Sequence, residues 1–97
     1  MNLYWVTTED HGEDWFTVAN SAREAATFHE DFEGYDIGDA TAELVTEIRD
    51  GVKAEPGWPS DDVLKACDAT IVSHGPARVV KIGERTFSEG LMESIIR

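Results

Sequence analysis

Basic residues are scarce in this chain: 97 residues carry 8 Lys and Arg against 20 Asp and Glu, a formal net charge of −12. A protein that grips nucleic acid directly needs a cationic footprint to release phosphate counterions, so direct nucleic-acid binding is disfavoured. Docking on an anionic membrane is disfavoured by the same repulsion. Cysteine is scarcer still. Cys67 stands alone, which excludes an internal disulfide and fits a reducing, cytoplasmic compartment. No apolar run approaches the roughly 20 residues of a membrane span, and no signal-peptide pattern opens the chain at Met1-Asn2-Leu3. The glycines do not group as a phosphate loop or a dinucleotide fingerprint, so no nucleotide cofactor is expected.

What is present is an apolar share of 41%, sufficient to bury a core, in a length that suits one domain over residues 1–97. The acids are unevenly spread. Residues 1–50 hold 13 acids against Arg23 and Arg49, a net of −11, whereas residues 51–97 hold 7 acids against 6 bases. Between Glu9 and Asp39 there are 10 acids and one base. Such clustering implies a local field able to steer a cationic partner, although acids on a small protein also serve as plain solubilising charge.

The aromatic and β-branched run Leu3-Tyr4-Trp5-Val6-Thr7-Thr8 predicts a first strand, and Trp15-Phe16-Thr17-Val18-Ala19 predicts its hairpin return. Ser21-Ala22-Arg23-Glu24 is a capping box and opens a helix. Ala22, Ala25, Ala26, Phe28, His29 and Phe32 make its sheet-facing stripe, and Gly34 stops it. Alternation over 40–48 predicts a half-buried strand with Ala42, Leu44, Thr46 and Ile48 on one face and Thr41, Glu43, Val45 and Glu47 on the other. Residues 52–59, with Pro56-Gly57 and Trp58-Pro59, read as a loop. Ser60-Asp61-Asp62 caps a short second helix with Val63, Leu64 and Cys67 on its apolar side. Strands follow over 69–73, 78–82 and 85–87, broken by His74-Gly75-Pro76 and turned by Gly83-Glu84, and residues 88–97 read as a terminal helix. The order is ββαβαβββα. The expected class is α+β: a mainly antiparallel sheet with two or three helices, the helices on one face.

The hairpin that runs through Ser21-Ala22-Arg23-Glu24-Ala25 into a helix resembles the corresponding segment of HicB-like antitoxin domains over about a quarter of the chain.

Several constellations carry chemistry on paper. His11-Gly12-Glu13-Asp14 groups divalent-metal ligands, but matches no zinc spacing and reads better as a polar turn. The stretch Glu33-Gly34-Tyr35-Asp36-Ile37-Gly38-Asp39 hints at calcium but lacks the alternating ligands and closing glutamate of an EF-hand loop. His29, beside Glu30 and Asp31, has neighbours that favour its protonated form; a residue bordering the core is the plainer reading. Cys67 lies next to Asp68, which opposes thiolate formation, so a packing role is expected. No enzyme, metal or cofactor is expected.

The expectation is therefore a small non-enzymatic protein-binding module whose acidic N-terminal half meets a basic surface. The concrete form is a phage or mobile-element inhibitor acting as a nucleic-acid mimic, as anti-CRISPR proteins do, against a nucleic-acid-handling protein. The partner-facing residues expected are Glu9, Asp10, Glu13, Asp14, Glu30, Asp31, Glu33, Asp36 and Asp39 as acceptors for Lys and Arg. Tyr35 and Trp58 join them as loop aromatics of the kind that anchor interfaces. The alternative is a cytosolic accessory or homodimerising domain built around Trp58 and Val45, with the acids only solubilising.

Overall fold

The computed structural model describes residues 1–9, 13–74 and 78–90. Its elements run β1 (Asn2–Thr8), β2 (Trp15–Ala19), α1 (Ala22–Glu33), β3 (Ala40–Glu47), α2 (Asp61–Ala66), β4 (Ala69–Ser73), β5 (Val79–Ile82) and β6 (Arg85–Ser88). The α+β class and the element order through the sixth strand follow the sequence reading. The terminal helix expected from residue 88 does not begin there: Ser88 closes β6, and residues 91–97 lie outside the described residues. Among the described residues no helix is long and apolar enough to cross a membrane.

The expected single sheet is two. Both are antiparallel and three-stranded, with strand orders β2-β1-β3 and β4-β5-β6. The first sheet lies in the middle, and each of its faces is buried against a different layer. Leu3, Trp5, Phe16 and Val18 point towards the second sheet and α2, meeting Val63, Leu64, Ala69, Val80 and Phe87. Trp5, Phe16 and Phe87 form the centre of that core, with ring centroids 4.8–5.0 Å apart. Tyr4, Val6, Ala19 and Ala40 point the other way, to Ala25 of α1. A strand covered on both faces needs apolar residues at every position, which is why β2 is buried throughout and why its sequence shows no alternation.

Two expected stripes are corrected. On α1 only Ala25 and His29 of the predicted stripe are buried, while Ala22, Phe28 and Phe32 are exposed. Alanine brings the helix close to the sheet, and the two phenyl rings stand at the flank, edge-on to Trp15 at 6.0 and 5.6 Å. On β3 a register shift opposite Leu3/Tyr4 leaves Tyr4 across from Leu44 and Leu3 across from Thr46, so Val45 is the extra residue of a bulge. The bulge breaks the alternation: Val45 and Ile48 both pack on the inter-sheet core, and Leu44 is exposed.

The loop 52–59 is fastened to the free edge of β2. Val18 and Gly57 exchange both backbone hydrogen bonds, at 2.7 and 2.9 Å. Gly57 takes φ +116°, and a Cβ there would sit 2.8 Å from the Phe28 ring, so both backbone and packing demand glycine. Further along the same edge Phe16 N–H donates to the Glu89 carboxylate at 2.9 Å and Gly90 N–H donates to the Asp14 carbonyl at 2.8 Å.

Glu89 is 1% exposed and is the hub of this region. Besides Phe16 N–H it accepts Trp58 Nε1–H at 2.9 Å and Arg78 Nε–H at 2.5 Å. Arg78 is itself buried, donates to the Pro59 carbonyl and to Asp61 at 3.0 Å each, and lies 4.1 Å from the Trp58 ring centroid. Removing one member of a buried ion pair leaves the other charge uncompensated, so Glu89→Ala is expected to lower stability by about 3–5 kcal/mol in urea unfolding. Adding Arg78→Met to that variant is expected to recover part of the loss, because the stranded charge is gone. A loss below about 1 kcal/mol for Glu89→Ala is the size of an exposed pair and contradicts the hub role.

Candidate functional site

The acidic end of the molecule is built where α1 stops. Gly34 ends the helix in the left-handed conformation, φ 81°, and its N–H and that of Tyr35 both donate to the Glu30 carbonyl at 2.8 Å. The Glu30 side chain then reaches forward, and one carboxylate oxygen accepts Gly38 N–H at 2.9 Å and Ala40 N–H at 3.0 Å. Asp39 closes the turn by accepting Asp36 N–H at 3.1 Å and donating its own N–H to the Asp36 carbonyl at 3.1 Å. The loop 34–39 is thus held by acids of its own segment. At its tip stands Ile37, 97% exposed, with Phe32 at 65% on the helix end below.

This placement sorts the expected partner-facing residues. Glu9, Asp31, Asp36 and Asp39 are exposed. Asp14 and Glu30 are corrected: both are buried, Asp14 accepting Thr8 N–H at 3.2 Å and Glu30 tying the loop, so neither carboxylate faces outward. Glu13 and Glu33 are half-buried, and Glu33 accepts Trp15 Nε1–H at 3.0 Å. Asp10 and the His11 of the sequence-level metal hint lie outside the described residues. Tyr35 is half-buried, its ring parallel to His29 at 6.1 Å, and it lines an open groove of about 900 Å³ with Thr7, Glu9, Asp39 and Thr41. Trp58 sits in the other region: its indole is 47% exposed, but its N–H and one face are engaged by Glu89 and Arg78. The loop aromatic is therefore held in place from one side with the remainder exposed, in a region apart from the acidic end.

The electrostatics of this end run against the usual helix rule. The last turn of α1 carries no base, while Glu30, Asp31 and Glu33 crowd the negative pole of the helix dipole. Burial, with Glu13 nearby, pushes the Glu33 carboxyl above the usual range although its Trp15 hydrogen bond works the other way. His29 is fully buried, stacked on Trp15 at 4.6 Å between centroids with the rings inclined by 27°, and its Nε2 lies against the Glu13 carbonyl. The sequence reading preferred a residue bordering the core, with acidic neighbours that favour the charged form. Burial outweighs them and holds the imidazole below its ordinary range. Burial likewise raises the Cys67 thiol, as a packing cysteine requires. Asp61 is held down by His74 at 2.6 Å and by Arg78.

Among the described residues no three His, Cys, Asp or Glu side chains gather as metal ligands. Ile37 and Phe32 escaped the sequence reading as surface residues. The signal was an isoleucine set among turn formers in Asp36-Ile37-Gly38-Asp39, where no element existed to bury it. Comparison with protein-family models, with curated proteins and with solved structures gives no match.

Two outcomes follow from this geometry. Glu30→Ala removes two charge-assisted hydrogen bonds and is expected to cost about 1.5–3 kcal/mol, with faster amide exchange at Gly38 and Ala40; Glu30→Gln, which keeps an acceptor, costs less. The second is a pH signature. With the folded His29 below the ordinary 6.5, the unfolded chain takes the proton first, so stability is full above that value and declines as pH falls through it. Glu33, raised above 4.5, has the opposite sign, and its gain is complete only below that value. Chemical unfolding at a series of pH values is expected to show the His29 decline in the native chain and to lose it in His29→Phe.

Proposed function

We propose that this chain is a non-enzymatic, cytoplasmic protein-binding module that presents its acidic end to a basic surface on a nucleic-acid-handling protein. In this reading Glu9, Asp31, Asp36 and Asp39 stand in for phosphates, as in a phage or mobile-element inhibitor of the anti-CRISPR kind. The observation that carries it is the Ile37 loop. A fully exposed isoleucine, held on a turn braced by Glu30 and Asp39 and preceded by the exposed Asp36, has the make-up of an apolar anchor within a polar rim. The field of the acids adds association rate and partner choice, and a loop already held in shape loses little freedom on docking. Solubilising charge alone accounts for the carboxylates but not for the exposed isoleucine between them.

The test is a pull-down from bacterial lysate at about 0.1 M and about 0.5 M salt, with Debye screening as the variable. Glu9→Lys, Asp31→Lys and Asp36→Lys are combined, since none of these carboxylates holds the loop, and Ile37→Ala is made separately. Capture of a nucleic-acid-handling protein at low salt, lost at high salt and in both variants while their unfolding curves stay unchanged, is the expected result. Capture that survives both salt and charge reversal overturns the proposal and favours the homodimer or accessory reading.

A further inference from the structure

The two outer edges of the central sheet are treated differently, and the open one has the features of a peptide-binding edge. Along β2 outward backbone groups are engaged: Phe16 N–H by Glu89, Val18 N–H and C=O by Gly57, and the Asp14 carbonyl, just before the strand, by Gly90. Along β3 the pairing with β1 sends Thr41 and Glu43 inward, opposite Thr7 and Trp5, and leaves the N–H and C=O groups of Ala42 and Leu44 pointing out. Ala40 N–H, in the same outward phase, goes to Glu30. Ala42 and Leu44 have no such partner among the described residues. Exposed edges are usually blunted by charged side chains, proline, a bulge or a covering segment; here Leu44 is 54% exposed on that edge, and among the described residues the devices are the charges of Glu43 and Glu47 and the bulge beyond Leu44.

We propose that β3 accepts an extended basic segment of a partner protein as an added strand, with an apolar residue against Leu44 and Lys or Arg residues towards Glu47, Asp36 and Asp39. The inference rests on the protein-binding reading above and names the form of the partner. Charge complementarity selects this occupant. Glu47 is exposed on the strand and Asp36 and Asp39 lie just before it, whereas Glu43 is already paired with Arg85 at 2.5 and 3.2 Å. A second copy of this chain would bring a formal −12 against −12 along the same edge. Main-chain pairing at Ala42 and Leu44 supplies a sequence-independent attachment, and the alternating side chains supply the choice of partner.

The test uses a blocked synthetic peptide alternating lysine and valine, and the same peptide with N-methyl groups on one backbone edge, titrated into the full chain. The expected result is binding of the parent peptide, slowed amide exchange at Ala42 and Leu44, and a loss of about tenfold or more in affinity on N-methylation, the equivalent of one or two hydrogen bonds. Equal binding of the methylated peptide, unchanged exchange at those two amides, or no binding of the parent overturns the edge proposal. The two readings fail separately. A lysate partner captured through Ile37 and the exposed acids, with Ala42 and Leu44 exchange unchanged in the complex, removes the added strand and keeps the acidic docking surface. Capture indifferent to charge reversal, with the peptide still slowing those amides, does the reverse.

Discussion

The buried Glu89 carboxylate is the joint on which the two sheets and the long loop depend. It follows directly on β6, yet it satisfies Phe16 N–H on the first sheet, the Trp58 indole on the 52–59 loop and the Arg78 guanidinium at the start of β5. A lone carboxylate is expensive to bury, and this one is tolerated because its oxygens meet one cationic and two neutral donors. The apolar core between the sheets is non-directional and sets no angle by itself. The carboxylate is directional, and it fixes where the second sheet meets the edge of the first.

That joint also explains an asymmetry in the central sheet. Closing the β2 edge takes a buried ion pair, a glycine in a rare conformation and a loop of several residues. Nothing comparable protects β3 among the described residues, where the protective devices are the charges of Glu43 and Glu47 and a bulge that pulls Val45 inward and exposes Leu44. One edge is therefore closed by the architecture, while on the other the outward groups of Ala42 and Leu44 have no partner among the described residues.

Much of the fold was legible in the sequence because it is written in local chemistry. Ser21 and Ser60 both accept the N–H three residues on, as caps do, and Gly34 ends α1 as the pattern implied. The hairpins were visible in runs of Tyr, Trp, Phe and Val. Long-range facts were not. Nothing local to Glu89 marks it as a partner of Phe16, 73 residues away, and nothing in the alternation of 40–48 reveals a bulge. The acid cluster shows the same limit: spacing along the chain separates neither Glu30, which ties a loop, nor Asp14, which satisfies a strand end, from Asp36, which faces solvent. Ile37 was legible in principle, since an isoleucine in a turn segment has no period to join.

The acids of residues 9–39 thus divide by task, and the division bears on what the surface is for. Carboxylates used internally hold the hairpin end and the α1–β3 loop in shape, while Asp31 and Asp36 project from the scaffold so braced. Solubility requires no such bracing, because a solvating carboxylate works equally well on a mobile chain. Crowding acids at the negative end of α1 is unfavourable by some tenths of a kcal/mol each. A fold that accepts this cost, and then braces the loop that presents an isoleucine among those acids, departs from local preference in the way binding sites do. The outer edge of β3 follows directly on that loop: Ala40 N–H is still tied to Glu30, and the outward groups of Ala42 and Leu44 come next.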